Sequence, residues 1–312
     1  MSIRDPRPNY RPFEYPWCHE YYEAANRAHW VPAEISLKDD VQDYIHVLDD
    51  NGRNVISNVL KVFTQQEIPV GDYWSSKVTK WFPKPEIRMV AQTFGSFEVI
   101  HTDSYSRLND TLPLGDDIYL KFLEDPAMKQ KIDYLVESDN IPLSLAIFSA
   151  FTEGVSLYSH FAILASYSLS NTMMKMAEII SYSVRDESMH SEFGCRLFNA
   201  YMEEFPEENT SELRSQIQDA AGMVYQLEST FIDKVFELGD LPKLSKQDLK
   251  NYIQYRINLK LSDIGQKKIF DVSKHNLGWF DKTLSGVILQ DFFAGKETSY
   301  AKGSKNWDEI YQ

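Results

Sequence analysis

One short pattern, a glutamate followed three residues later by a histidine, constrains this sequence more than any other feature. It occurs twice, as Glu98-Val-Ile-His101 and as Glu187-Ser-Met-His190. Residues three apart lie on the same face of an α-helix, so each pair can bind one metal ion through a carboxylate and an imidazole. The sequence therefore predicts two helices that each carry part of a metal site.

Two further glutamates lie on apolar faces of other predicted helices. Glu67 lies four residues beyond Phe63, and Glu153 lies four residues before Leu157. A carboxylate on an inward face must be paired, protonated or bound to a metal. Four carboxylates and two imidazoles suit two divalent first-row ions, and hard oxygen ligands favour manganese or iron. We predict one dinuclear site with these ligands: Glu67, Glu98, His101, Glu153, Glu187 and His190.

Each of these residues is a weak signal by itself. A helical glutamate is more often neutralised by a lysine or arginine, and Asp43-x-x-His46 shows that similar spacing arises by chance. Of the seven histidines, however, only His101 and His190 follow a glutamate by three residues. The combination of all six residues carries the prediction.

Charge and composition exclude several classes of protein. The net charge is −14 and the basic residues are scattered, so we expect no direct binding to nucleic acid. The apolar stretch 141–170 contains Glu153 and His160, which indicates a buried core helix and no membrane span. Cys18 and Cys195 have no disulfide or metal spacing, and no signal peptide is recognisable. We expect a cytoplasmic protein.

Hydrophobic periodicity predicts a chain built from helices. We predict an all-α fold with an N-terminal arm at 1–35, a helical domain at 36–294 and a flexible C-terminal tail at 295–312. The expected helix signals are a cap at Ser36, a start at Pro85 and another near Pro142, an end at Pro206, and helices at 209–238 and 245–263.

The ligand pattern resembles that of the ferritin-like di-metal carboxylate proteins. Over most of the chain, the sequence further resembles the radical-generating small subunit of class I ribonucleotide reductase. The segments that carry the resemblance are Glu67, Glu98-Val-Ile-His101 with the following Thr-Asp-Ser-Tyr105, Glu153-Gly-Val, and Arg185-Asp186-Glu187-Ser-Met-His190. The resemblance implies a ferritin-like helical bundle with a di-metal core, extra flanking helices and a flexible C-terminal tail.

The same resemblance assigns roles to four residues outside the ligand set. Tyr105, one turn beyond His101, is similar in position to the family's radical tyrosine, although spacing alone fits plain core equally well. Trp30 resembles the conducting tryptophan, and Asp186 resembles its hydrogen-bonded partner. Tyr300 resembles the tail tyrosine that passes the radical to the large subunit. The implied function is to supply a one-electron oxidant to a cysteine of that subunit.

The resemblance also implies partners and substrates. The large catalytic subunit is expected to bind through the C-terminal tail, and the chain is expected to form a homodimer. Ribonucleoside diphosphates or triphosphates would be reduced on the large subunit. This chain should therefore bind no nucleotide substrate, and no phosphate-binding Gly-x-x-x-x-Gly-Lys motif occurs in it.

The sequence constrains the identity of the metals less than it constrains the identity of their ligands. Glu67 stands where the commonest members of the family carry aspartate, and by resemblance this glutamate accompanies the manganese-using subclasses. Because Tyr105 is retained, the combination is most similar to the dimanganese subclass. Di-iron and mixed Mn/Fe sites remain open, since ligand identity separates manganese from iron poorly. Leu157 is a second departure, because many members have an aromatic residue there.

Two other functions fit a di-metal helical bundle. A stand-alone di-metal oxidase would need a substrate cavity and would leave Trp30 and Tyr300 without a purpose. Metal storage of the ferritin type would need a shell of many subunits. We therefore favour the reductase subunit.

Overall fold

The structure is a computed structural model that describes residues 2–115, 117–133 and 139–283, which form a bundle of helices. The predicted tail at 295–312, with Tyr300, lies outside the described residues, as does the end of the predicted domain at 294. We number the main helices α1 (Pro16–Ala28), α2 (Lys38–His46), α3 (Asp50–Asp72), α4 (Pro85–Thr111), α5 (Pro126–Asp133), α6 (Ile141–Ser170), α7 (Met174–Glu204), α8 (Ser211–Val235) and α9 (Lys246–Asp263).

Capping residues and prolines explain where several helices begin. Asp49 accepts a hydrogen bond from the Gly52 amide at 2.7 Å and caps α3. Thr210 and Ser245 cap α8 and α9 in the same way. Pro85 begins α4, where its missing N–H costs nothing. The predicted starts at Pro85 and Ser245 are confirmed.

The predicted cap at Ser36 is wrong. The helix α2 begins at Lys38, and Leu37 at the N-cap position makes no side-chain hydrogen bond. The first turn instead contains Asp39 and Asp40, whose negative charges interact favourably with the helix N-terminus. The electrostatic contribution of this turn replaces the missing cap.

The acidic residues of α2 also cap a helix that is distant in sequence. Asp40 accepts a hydrogen bond from the Met176 amide at 2.6 Å, and Asp43 accepts one from the Met173 amide at 2.9 Å. Both amides belong to the start of α7, which has no side-chain cap of its own. Asp43 therefore has a structural role, whereas His46 is exposed to solvent.

Four long helices form the central bundle. The helices α3 and α4 pack along each other, α6 packs along α7, and the two pairs are in contact. Their apolar side chains belong to one continuous hydrophobic cluster. The helices α8 and α9 cover one side of α6, and α1 lies across α4 and α7. The described residues contain no strand, so the predicted all-α, ferritin-like bundle with flanking helices is confirmed.

The predicted N-terminal arm contains a helix that the sequence pattern did not reveal. Pro16 occupies the first turn of α1, and the buried residues Cys18 and Ala25 lie two turns apart on one face. The Trp17 ring lies 5.5 Å from the Phe193 ring of α7. The arm is therefore anchored on the bundle by a packed helix.

Two segments of the bundle are π-helical. Tyr73–Val78 continues α3, and Ile147–Ser156 forms the middle of α6. A π-helix has a wider turn, so side chains do not keep the α-helical period. The side chains around Glu153 therefore depart from the α-helical period by which this residue was placed on an inward face. Residues 147–155 are all buried, which shows that this part of α6 has no solvent face.

The helix α6 is long and apolar enough to cross a membrane by length and composition. In the structure, 83 % of its most apolar window is buried inside the protein. The helix is surrounded by α7, α8 and α9. This burial agrees with the predicted core helix.

Candidate metal centre

The bundle brings the six predicted ligands to one place. Helix α3 carries Glu67, α4 carries Glu98 and His101, α6 carries Glu153, and α7 carries Glu187 and His190. None of the six is more than 1 % exposed. The three-residue spacing on α4 and α7 turns the carboxylate and imidazole of each pair toward the same interior point.

The two helical Glu-x-x-His pairs are interleaved. The Nδ1 atom of His101 lies 3.0 Å from Glu98 Oε2 and 2.9 Å from Glu187 Oε1. The Nδ1 atom of His190 lies 2.9 Å from Glu98 Oε1 and 3.3 Å from Glu187 Oε2. Glu98 and Glu187 thus present one oxygen to each histidine, which is the arrangement of two bridging carboxylates.

The remaining glutamates divide between two metal positions. One group contains Glu67 and His101 with the two bridging glutamates, and the other contains Glu153 and His190 with the same two. Within each group, the candidate ligand atoms lie within 4.8 Å of one another. The geometry therefore fits two adjacent cations with shared carboxylates.

Unpaired polar atoms in the centre support this fit. Among the described residues, both carboxylate oxygens of Glu67 lack a hydrogen-bond partner. Unpaired charge in an apolar interior is costly. Two divalent cations would balance four carboxylates in charge and would supply the missing partners. The residues present thus fit a dinuclear metal group.

Trp30 is connected to the centre through Asp186. The Trp30 indole N–H donates to Asp186 Oδ2 at 2.9 Å, and the same oxygen lies 3.2 Å from His101 Nε2. Arg185 donates from Nε to the other oxygen of Asp186 at 3.0 Å. Asp186 therefore fixes the orientation of the His101 ring, whose Nδ1 faces the centre. The structure brings together the predicted pair of Trp30 and Asp186.

Tyr105 lies one helical turn beyond His101 and is fully buried. Its ring is stacked on Phe63, with 4.0 Å between ring centroids, and lies 6.3 Å from the His101 ring. Burial and the nearby charge of Glu67 raise the pKa of Tyr105 well above its usual range. The phenol therefore keeps its proton, so any one-electron oxidation of this residue must also remove that proton.

The geometry of the centre agrees with comparison to known proteins. Residues 7–276 match the family model described as ribonucleotide reductase, small chain. The chain belongs to the ribonucleotide reductase small-chain family. It is 32 % identical to a probable ribonucleoside-diphosphate reductase small subunit of Invertebrate iridescent virus 3, over 99 % of this chain and 88 % of the relative. The corresponding protein of Invertebrate iridescent virus 6 is 30 % identical, over 100 % and 99 %.

Solved structures show the same fold at lower sequence identity. A ribonucleotide reductase R2 subunit from Clostridium botulinum has a TM-score of 0.82 at 20 % identity, over 91 % of this chain and 94 % of that chain. A dimanganese(II)-NrdF from Streptococcus sanguinis has a TM-score of 0.76 at 20 % identity, over 92 % and 99 %.

Family membership decides the class of function. As a ribonucleotide reductase small chain, the protein is the radical-generating subunit of an oxidoreductase. The predicted family and enzyme class are confirmed. A stand-alone oxidase and a storage protein are correspondingly disfavoured.

The sequence pattern gave no role to Trp74, although the reductase small chain places it against a candidate ligand. The buried Trp74 indole N–H donates a hydrogen bond to Glu153 Oε1. Trp74 lies seven residues, or two turns, after Glu67, in the π-helical segment that continues α3. The sequence did contain one signal for this contact, because Trp74 lies two turns beyond the predicted ligand Glu67 and so falls on the same helix face.

We expect Trp74→Phe to weaken the metal position that contains Glu153. The phenylalanine keeps the ring packing but leaves this carboxylate without its donor, and partners of metal ligands are worth about 10- to 100-fold in affinity. Titration of the metal-free protein with Mn²⁺ against a competing chelator measures the two binding constants. Trp81→Phe, at a half-buried residue three positions beyond the π-helical segment, is the matched control. Equal affinities in all three proteins would contradict the expectation.

The pKa values of several candidate ligands are strongly raised when the centre holds no metal. Burial and the carboxylates of Glu187 and Glu98 raise the pKa of Glu67 well above its usual range, and burial with Glu187 does the same for Glu153. Burial alone would lower the pKa of the His190 imidazole, but Glu98 and Glu187 raise it to about 9. Protons therefore occupy this centre near neutral pH when metals are absent.

We expect metal binding to release these protons and to weaken as the pH falls. The raised pKa values mean that a cation competes with bound protons, so each proton displaced per ion weakens binding about tenfold per pH unit. Calorimetric titration with Mn²⁺ in two buffers of different ionisation enthalpy measures the proton release. Repeating it one pH unit lower measures the loss of affinity. An affinity that does not depend on pH would contradict this expectation.

Proposed function

We propose that this chain holds two divalent ions and uses them to start radical chemistry in a ribonucleotide reductase large subunit. The observation that carries the proposal is the continuous set of contacts from the six buried candidate ligands through Asp186 to Trp30. In this role, Glu98 and Glu187 would help to hold both ions, and Glu67 and Glu153 would each help to hold one. After activation by oxygen or superoxide, the bound metals would supply a strong one-electron oxidant.

The protein residues around the centre protect that oxidant and direct it. Leu157 and Phe161 are at most 1 % exposed and form an apolar wall that excludes water. Asp186 accepts the Trp30 N–H and therefore holds the indole in position beside His101. Trp30 is 8 % exposed, so it lies between the buried centre and the protein surface. An electron can leave Trp30 toward the centre while Asp186 retains the hydrogen bond.

We propose manganese in both positions. Support comes from Glu67 in place of the family's usual aspartate and from the retained Tyr105, together with a fold shared with a dimanganese(II) protein. Growth with both manganese and iron, followed by metal analysis and electron paramagnetic resonance, decides between the metals. A coupled manganese signal supports the proposal. A long-lived tyrosyl signal with iron would replace it by di-iron, and one manganese with one iron would indicate the mixed site.

The proposed partners follow from the family. The large subunit would bind the tail at 295–312 and receive the oxidising equivalent through Tyr300, and the small chain would act as a homodimer. Both cysteines, Cys18 and Cys195, are buried free thiols, in agreement with a reducing cytoplasm.

Reconstitution tests the proposed function. The metal-loaded chain, first activated with oxygen or superoxide and then mixed with its large subunit, a ribonucleoside diphosphate and a thiol reductant, should form deoxynucleotide. The metal-free chain and each subunit alone are the controls and should form none. Turnover by the large subunit alone would remove the proposed role.

A further inference from the structure

A cleft of about 440 Å³ opens on the surface between α3 and α4. It is independent of the Trp30 side of the centre, because its walls come from the outer faces of these two helices. The walls include small or hydroxylated side chains at Gly71, Ser75, Gly95 and Thr102. The two glycines let the helix backbones approach closely at the floor of the cleft, because a Cβ atom added at Gly95 would lie 3.3 Å from the Gly71 carbonyl oxygen.

The inner end of the cleft is formed by two of the candidate ligands, Glu67 and Glu98. Both carboxylate oxygens of Glu67 have no hydrogen-bond partner among the described residues. A Cβ atom added at Gly71 would lie 3.2 Å from the Cβ of Glu98. The helix backbone therefore approaches this ligand closely at the inner end of the cleft.

The outer end of the cleft carries negative charge. Asp72 and Asp103 are exposed and line the opening. Between them and the ligands, the Ser75 hydroxyl donates to the Gly71 carbonyl and the Thr102 hydroxyl donates to the Glu98 carbonyl, both at 2.8 Å. These hydroxyl oxygens keep lone pairs that can contact a passing cation. A cleft lined by one sign of charge concentrates ions of the opposite sign.

Large side chains cover other parts of the centre. Trp30 and Asp186 cover His101, and Trp74 covers Glu153. The stacked Phe63 and Tyr105 rings close a further side. The cleft between α3 and α4, by contrast, has the candidate ligands Glu67 and Glu98 in its lining.

We propose that the cleft between α3 and α4 is the route by which divalent cations reach the dinuclear site, with Asp72 and Asp103 as the outer collecting residues and Glu67 as the first ligand met. This inference rests on the proposed metal-binding function. It concerns the rate of loading and leaves the final ligand set unchanged.

The test is the rate of Mn²⁺ uptake by the metal-free full chain. Rapid mixing at low ionic strength, followed by the decay of the electron paramagnetic resonance signal of aqueous Mn²⁺, gives the rate and the final stoichiometry. We expect Asp72→Asn combined with Asp103→Asn to slow uptake about tenfold, at the lower end of the range for electrostatic focusing. The final stoichiometry should not change, and added salt should reduce the difference.

Two further variants make the experiment specific. Arg107 pairs with Asp103, with 2.9 Å between Arg107 Nε and Asp103 Oδ2, and reduces the negative charge at the opening. Arg107→Gln should therefore speed uptake. Glu203→Gln combined with Asp219→Asn removes the same charge from exposed positions on α7 and α8, and it should leave the rate unchanged.

Each outcome has a distinct meaning. Slow uptake in the Asp72 and Asp103 variant, with a normal rate in the control, supports the route. Equal rates in all variants, or equal slowing in the control, would overturn it while leaving the metal site intact. A wild-type chain that binds no Mn²⁺ at any rate would overturn the proposed function itself.

Discussion

Glu98→Ala should empty both metal positions, whereas Glu67→Ala should weaken only one. Glu98 presents one oxygen to His101 and the other to His190, at 3.0 and 2.9 Å, and belongs to both groups of candidate ligands. Glu67 belongs to one group. Removing a bridging carboxylate takes a negative ligand from both cations, and removing a terminal one takes it from a single cation.

Metal analysis after dialysis measures this difference directly. We expect two ions per chain in the wild type, about one in Glu67→Ala and close to none in Glu98→Ala. Reductase activity should be lost in Glu98→Ala. Equal stoichiometry in the two variants would contradict the assignment of Glu98 as a bridge.

Thermal unfolding separates loss of a ligand from loss of the fold. A bound ion adds about 2.7 kcal/mol of stability at a free concentration 100 times its Kd. Metal should therefore raise the Tm of the wild type more than that of Glu67→Ala, and hardly at all for Glu98→Ala. In the metal-free proteins, Glu67→Ala removes a buried carboxyl group without hydrogen-bond partners, which offsets part of the cost of the cavity. Glu98→Ala instead takes a carboxylate oxygen away from each of the two histidines. A metal-free variant that is unfolded would invalidate the comparison for that variant, and Glu187→Ala, at the second bridge, would replace it.

Local sequence pattern was sufficient for several helix starts and for which side chains share a helix face. The three-residue spacing in Glu98-Val-Ile-His101 places both side chains on one face whatever surrounds the helix, and Pro85 and Ser245 mark helix starts by their own chemistry. The convergence of Glu67 and Glu153 with them depends on which helices pack together. Only the resemblance to the family indicated which helices pack together.

Features that depend on contacts between distant segments were not predictable in this way. Asp40 caps α7 from another helix, so no local motif marks it. The π-helical turns around Trp74 and Glu153 change the register without a distinctive composition, and α6 is apolar on all sides. The hydrogen bond between these two residues therefore appears only in three dimensions.

Tyr300→Phe tests the proposed radical path in the C-terminal tail, which lies outside the described residues. The substitution removes one hydroxyl from the proposed tail, so we expect bound metal to remain and deoxynucleotide formation to cease. Tyr311→Phe, in the same tail, is the matched control and should retain activity. Retained activity in Tyr300→Phe would remove this tyrosine from the path.

Trp30→Phe is expected to reduce deoxynucleotide formation to below about 1 % of the wild-type rate while both metals stay bound. The phenylalanine keeps an aromatic ring but has no N–H for Asp186 and is much harder to oxidise. A loss of this size corresponds to more than about 2.7 kcal/mol in the activation free energy. The metals should remain because Asp186 still contacts His101 Nε2 at 3.2 Å and Arg185 still donates to Asp186.

Trp17→Phe is the matched control for this substitution, because Trp17 is a half-buried indole on α1 that packs on Phe193 without contacting Asp186. It should keep wild-type activity and metal content. Loss of metal in Trp30→Phe would mean that the indole acts by supporting His101, since a residue that only carries an electron leaves the ligands in place. Full activity with Trp30 replaced would show that the oxidising equivalent leaves the centre by another route, because the hydrogen bonds through Asp186 end at this indole.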